Sequence, residues 1–115
     1  MSKISISDLQ SYLRTKYNKK EYTTSLFMKL VEEVGEVAEA INKIDGRKTD
    51  DKESSLAEEL ADIIHYTIAI ATINDINLEE VIIEKDKVAS IKYKQTPNLQ
   101  EYLSKKTKQI CLVFK

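Results

Sequence analysis

Apolar side chains recur along most of this chain at intervals of three and four residues, the spacing that lines one face of an α-helix. A first helix is predicted from a cap at Ser7 or Asp8 to about Tyr17, with Leu9, Tyr12 and Leu13 on one side. The polar run YNKKEYTT interrupts it, and Thr23 or Thr24 is placed to cap a second helix, SLFMKLVEEVGEVAEAINKI, which ends before Asp45-Gly46. Residues 45–54, DGRKTDDKES, contain no apolar side chain and read as an exposed loop. Ser54 or Ser55 closes it as the cap of a third helix, LAEELADIIHYTIAIATIN. A fourth helix is expected from about Leu78 to Pro97, where the ring of proline stops it. Beyond it NLQEYLSKKTKQ has the pattern of a short amphipathic helix, and ICLVFK either extends that helix or forms an edge strand. No internal repeat, low-complexity tract or linker interrupts these elements.

With 115 residues the chain suffices for one compact domain and is too short for two independent cores, so 1–115 reads as a single helical domain. Two Gly and one Pro supply too few turns for a β-sandwich, and the predicted class is all-α. The pattern fits a four-helix-bundle-type core of antiparallel helices with a short C-terminal helix or extended tail. At about 100° per residue, Leu26, Val37, Leu30, Ile41, Val34 and Phe27 fall on one arc of the second helix, the expected core face. The third helix is apolar on nearly every side in IIHYTIAIATI, as a buried helix is. It needs more cover than the remaining short helices supply, so at least a dimer is expected.

A net charge of -1, with 42% hydrophobic and 32% charged residues, argues against broad binding of nucleic acid or of an anionic membrane. The average conceals a gradient. Residues 31–62 hold eleven acids against four bases, whereas residues 1–30 carry six bases against two acids and residues 85–115 eight against two. A cation site beside an anion-binding surface requires such a division. No apolar stretch has the length of a signal peptide or a membrane span, and a cytoplasmic location is expected. The single cysteine, Cys111, lies in the apolar tail and reads as a packed thiol.

The carboxylates are the candidate chemistry. Glu33 falls at the edge of the apolar arc of the second helix and Glu36 one turn on, while Glu32 and Glu39 lie nearer solvent. On the third helix Glu58, Asp62 and His65 share a sector, and Glu59 lies about 60° from Asp62, beside Tyr66 and Ile70. Buried carboxylates without a partner cost several kcal/mol each, in order of magnitude, and repel one another. Lys29 and Lys43, the only lysines on these two helices, are both set apart from the acids. A divalent cation is the economical compensation, and a site of four carboxylates selects hard ions such as Mg²⁺ or Mn²⁺ over Zn²⁺. One histidine in the whole chain excludes a di-iron site built on two Glu-x-x-His pairs. The Asp-rich loop lacks the ligand spacing of an EF-hand.

Glu32-Glu33-Val34-Gly35-Glu36, followed after 22 residues by Glu59-Leu60-Ala61-Asp62, resembles the E-E-x-x-E and E-x-x-D signature of the MazG-like branch of the all-α nucleoside triphosphate pyrophosphatases. The resemblance covers about residues 24–94 and leaves 95–115 as a C-terminal extension. It implies hydrolysis between the α- and β-phosphates of a nucleoside triphosphate, dependence on Mg²⁺ with Mn²⁺ as a possible substitute, and assembly as a homodimer or homotetramer. Glu33, Glu36, Glu59 and Asp62 would hold the metal, and Glu32 or Glu33 would accept a proton from the attacking water. Lys85 and Tyr93 match family positions that bind substrate. Lys92 stands where the family has Arg and keeps only the charge, and Ala89 replaces an Asn. Lys85, with Lys92 or Lys16, would hold phosphates. His65 suits a partner of the ligands or a hydrogen-bonded core residue, and Tyr66, Phe27 and Tyr22 suit the core or a base-stacking surface. The alternative to an enzyme is a non-catalytic helical module that binds nucleotide or metal, or serves assembly alone.

Overall fold

A computed structural model describes residues 2–46 and 55–113, with side chains to residue 107. Five α-helices follow one another: α1 Ile6–Arg14, α2 Thr23–Ile44, α3 Leu56–Ile73, α4 Leu78–Lys92 and α5 Leu99–Val113. A 3₁₀ turn over Lys20–Tyr22 precedes α2. No strand occurs among the described residues, so the protein is all-α, and the apolar tail continues α5 as helix to Val113. No helix among them is long and apolar enough to cross a membrane. Residues 47–54 of the predicted loop, and the Cys111 side chain, lie outside what is described.

The helix ends differ from the expected ones for local reasons. Ser5, rather than Ser7 or Asp8, caps α1: its hydroxyl accepts from the Asp8 amide at 3.0 Å, and the Asp8 carboxylate accepts from the Ser5 amide at 3.1 Å. Asp8 thus serves the cap from inside the first turn. At the other end the Thr15 and Lys16 amides bond three residues back, to Tyr12 and Leu13, which tightens α1 and stops it short of Tyr17. Thr23 does not cap α2. Its hydroxyl donates to the Lys20 carbonyl at 2.7 Å and accepts from Asn74 at 3.0 Å, tying the 3₁₀ turn to the end of α3. Ser55 caps α3 by accepting from the Glu58 amide at 3.1 Å.

Left-handed residues close three helices: Gly46 (φ 74°) after α2, Asp75 (φ 56°) after α3 and Lys94 (φ 53°) after α4. After α4 the Gln95 amide reaches back to the Ser90 carbonyl at 2.9 Å, so the helix has turned off before Pro97 comes into play.

The chain forms two compact units, Met1–Asn77 and Leu78–Lys115. In the first, α2 packs along α3 and α1 packs on α3. Leu13, Leu26, Ala40, Ile68, Ala69, Ala71 and Ile73 make its core. A buried leucine stabilises by roughly 1.5–3 kcal/mol. The expected arc of α2 is therefore only partly the core face: Leu26 is buried and Leu30 and Val37 are half-buried, but Phe27, Val34 and Ile41 are exposed. Ala40 is buried instead. Likewise α3 is enclosed over its last six residues, Ile68 to Ile73, except for half-buried Ile70, whereas Leu60 and Ile64 in its first half are exposed.

Polar side chains of α1 cap the end of α3. Gln10 donates to the Ile76 carbonyl at 2.7 Å, and Arg14 to the Thr72 carbonyl at 2.9 Å. In the second unit Asn98 and Glu101 form a capping box for α5, and the Asp86 carboxylate of α4 accepts from the Leu99 amide at 2.6 Å.

Candidate metal centre

Glu33 of α2 and Glu59 and Asp62 of α3 converge. One carboxylate oxygen from each can be chosen so that all three lie within 4.8 Å of one another. Helical spacing sets this up: Glu59 and Asp62, one turn apart, project from the same side of α3 toward the face of α2 that carries Glu33. Glu59 is 8% exposed, Glu33 is half-buried and Asp62 opens to solvent, so the cluster runs from the interior to the surface. Glu58 and Glu59 also stand in the first turn of α3, where the positive end of the helix dipole favours negative charge.

The electrostatics record the crowding. A hydrogen bond to Glu59, then burial, then the charges of Glu59, Asp62 and Glu32 push the Glu33 carboxyl up to about 7 from an ordinary 4.5. Neither lysine of these helices is hydrogen-bonded to the cluster: Lys29 pairs with Glu32 at 3.5 Å, and the buried Lys43 ammonium has no hydrogen-bond partner among the described residues.

The other sequence-predicted residues are distributed as follows. Glu36, one turn beyond Glu33, is half-buried and is not a member of the three-residue group. Glu32 is exposed. Lys85, Lys92 and Tyr93 line one open groove of about 630 Å³ on α4 and its end, together with Glu84, Val88 and Ala89. The Lys92 ammonium lies 5.3 Å from the centre of the Tyr93 ring. Lys16 lies 4.9 Å from the centre of the exposed Tyr12 ring. Phe27 and Tyr22 are exposed, and Tyr66 is half-buried.

His65 is hydrogen-bonded, with Nε2 3.1 Å from the Tyr17 hydroxyl, and meets the rings of Tyr17 and Tyr66 edge-on at 5.7 Å and 4.9 Å. Burial, then the charges of Tyr17, Glu33 and Asp62, hold the Tyr66 hydroxyl above its ordinary range, while Lys29 opposes them. Tyr17 was not legible as a site residue, because nothing near it in sequence signals a partner 48 residues away.

Fold and site together define an all-helical protein with a carboxylate cluster suited to a hard divalent cation. The chain belongs to the family of the MazG nucleotide pyrophosphohydrolase domain, whose model matches residues 21–90. It is similar to the crystal structures of iMazG from Vibrio DAT 722 in its Ntag and Ctag forms, with 34% identity and a TM-score of 0.64 to each. The matches cover 80% and 76% of this chain and 100% and 99% of those chains. A comparison with curated proteins yields no match.

Proposed function

We propose that this protein is a Mg²⁺-dependent nucleoside triphosphate pyrophosphohydrolase, converting NTP or dNTP and water to the monophosphate and pyrophosphate in nucleotide pool control. The observation that carries the reading is the meeting of Glu33, Glu59 and Asp62 from two helices in one partly sheltered place. The residues fit a cation by their own chemistry: all donors are oxygens, and Glu33, raised first by its hydrogen bond to Glu59, then by burial and by the neighbouring charges, stands in a crowding that a divalent ion would relieve. In this reading Glu33, Glu59 and Asp62 hold Mg²⁺, or Mn²⁺ as substitute, and Glu36 joins them from the next turn of α2. A bound divalent cation neutralises phosphate oxygens and lowers the pKa of a coordinated water.

The protein supplies the rest. Glu33 or Glu32 takes the proton from the attacking water. Exposed Glu32 pairs with Lys29 at 3.5 Å, and Glu33 lies among the carboxylates that would hold the metal. Lys85 and Lys92, two turns apart on one face of α4, bind phosphate with Tyr93 beside them. Phe27, Val31, Val34 and Ile41 on one side of α2, and Leu60 and Ile64 on one side of α3, are exposed apolar side chains suited to contact with a second copy of the chain. We take the assembly to be a homodimer or homotetramer.

Incubation with a panel of nucleoside triphosphates and Mg²⁺, followed by separation of products, tests the reading. Monophosphate with pyrophosphate is expected. Diphosphate with orthophosphate, or no turnover across the panel, overturns it. Glu59→Gln keeps the side-chain volume and removes one charge, and should lower turnover on the order of 100-fold or more. Glu36→Gln decides in the same assay whether Glu36 belongs to the set.

A further inference from the structure

Next to the carboxylates stands a group of side chains to which the proposed chemistry gives no task. From Thr15 to Lys19, between α1 and the 3₁₀ turn, every residue is exposed except Tyr17. Tyr17 is therefore the side chain that anchors this connector, and its hydroxyl is hydrogen-bonded to His65 at 3.1 Å. His65 in turn lies edge-on against Tyr66, with ring centres 4.9 Å apart and planes at 83°.

Tyr66 leads back to the site. It follows Asp62 by four residues and Glu59 by seven, so the three share one stripe of α3. Its hydroxyl also feels the charges of both Glu33 and Asp62. Tyr17, His65 and Tyr66 each keep part of their surface open, so the row is a wall with an accessible side and not a closed core.

We infer that His65 is a positioning residue, which through its hydrogen bond to Tyr17 holds Tyr17 and Tyr66 as one aromatic wall against which the nucleoside part of the triphosphate is seated. The inference rests on the proposed pyrophosphohydrolase reading. Aromatic rings accept any nucleobase by stacking, which is worth roughly 1–3 kcal/mol per base in proteins that use it. Such a surface discriminates only when its rings are fixed. Edge-to-face contacts alone leave a tyrosine free to rotate away, and the other side chains of the connector are exposed and do not hold it. The hydrogen bond removes that freedom before substrate arrives, so its loss is felt in binding more than in the chemical step.

The experiment uses the full chain and four variants: Tyr17→Phe, which keeps the ring, His65→Leu, the double variant, and His65→Gln, whose amide restores a partner for the hydroxyl. Steady-state kinetics are run on the best substrate of the wild type. Binding of the α,β-imido analogue of that nucleotide, or of dUTP if none is turned over, is measured with Mg²⁺ by calorimetry. Tyr17→Phe and His65→Leu should each raise KM and the analogue Kd about fivefold to tenfold, the worth of one hydrogen bond, with kcat within about twofold. The double variant should lose no more than either single change, and His65→Gln should recover most of the loss. The Mg²⁺ concentration that half-stabilises each variant against heat should match the wild type.

Additive losses, or unchanged KM and Kd in both single variants despite a lower melting temperature, reduce the pair to packing and overturn the inference alone. A wild type that binds the analogue without hydrolysing substrate defeats the pyrophosphohydrolase reading, while the Kd pattern still decides on His65. A wild type that binds no nucleotide defeats both.

Discussion

A carboxyl group that keeps its proton to about pH 7, as Glu33 does beside Glu59, ties stability to pH in a definite direction. Its folded pKa lies above the ordinary 4.5, so between these values the folded chain binds more protons than the unfolded one. Its contribution is full below about pH 4.5 and fades as pH rises through about 7. Without divalent ions, urea unfolding should show stability falling from pH 5 to pH 8, and Mg²⁺ should restore most of it at pH 8. Glu33→Gln should flatten the slope, because an amide hydrogen-bonds to Glu59 at every pH. A metal-free protein that gains stability over this range, with the slope intact in Glu33→Gln, would show that the crowding is relieved by other means. The acidic residue types and their spacing on each helix were legible in the sequence. That Glu33 pairs with Glu59 was not, since it depends on the register between two helices.

Helix ends decide whether the site's first turn is rigid. Glu59 lies four residues after Ser55, whose hydroxyl accepts from the Glu58 amide at 3.1 Å. Ser55→Ala removes that cap and should destabilise the protein by about 1 kcal/mol in chemical denaturation. Because the frayed turn carries Glu59, the Mg²⁺ needed for half-maximal stabilisation should rise severalfold. If stability falls while metal affinity stays put, the first turn of α3 is held by α2 alone. This cap was legible to within one residue, as Ser54 or Ser55, because both serines stand at the start of the helical pattern. The caps of α1 and α2 were less so. Ser5, Ser7 and Asp8 all have capping side chains, and only the backbone path selects Ser5. Thr23 was a sound capping residue by type, but its hydroxyl is engaged with Lys20 and Asn74.

At the scale of the molecule, exposed Phe27, Val31, Val34 and Ile41 recur on α2 at spacings of four, three and seven residues, a stripe that water alone covers poorly. Sedimentation should show a species larger than a monomer at micromolar concentration, and Val34→Asp should shift it toward monomer by more than about tenfold in dissociation constant. An unshifted sedimentation coefficient in Val34→Asp would remove this face from the assembly. Val34 follows Glu33 directly, so its charge variant should be assayed for Mg²⁺ binding to separate the two effects.

What the sequence determined by itself was local. Periods of three and four residues, with few glycines and prolines, dictate helices whatever their surroundings, and E-E-x-x-E and E-x-x-D place acids on helix faces by geometry alone. What only the tertiary structure decided was which faces meet. Phe27, Val34 and Ile41 share the arc of Leu26, yet the packing of the helices buries Leu26 and leaves them exposed. Tyr17 and His65, far apart in the chain, become partners for the same reason. Side-chain periodicity fixes directions within one helix. The docking of one helix on another follows from complementary shape over many residues, which no single segment encodes.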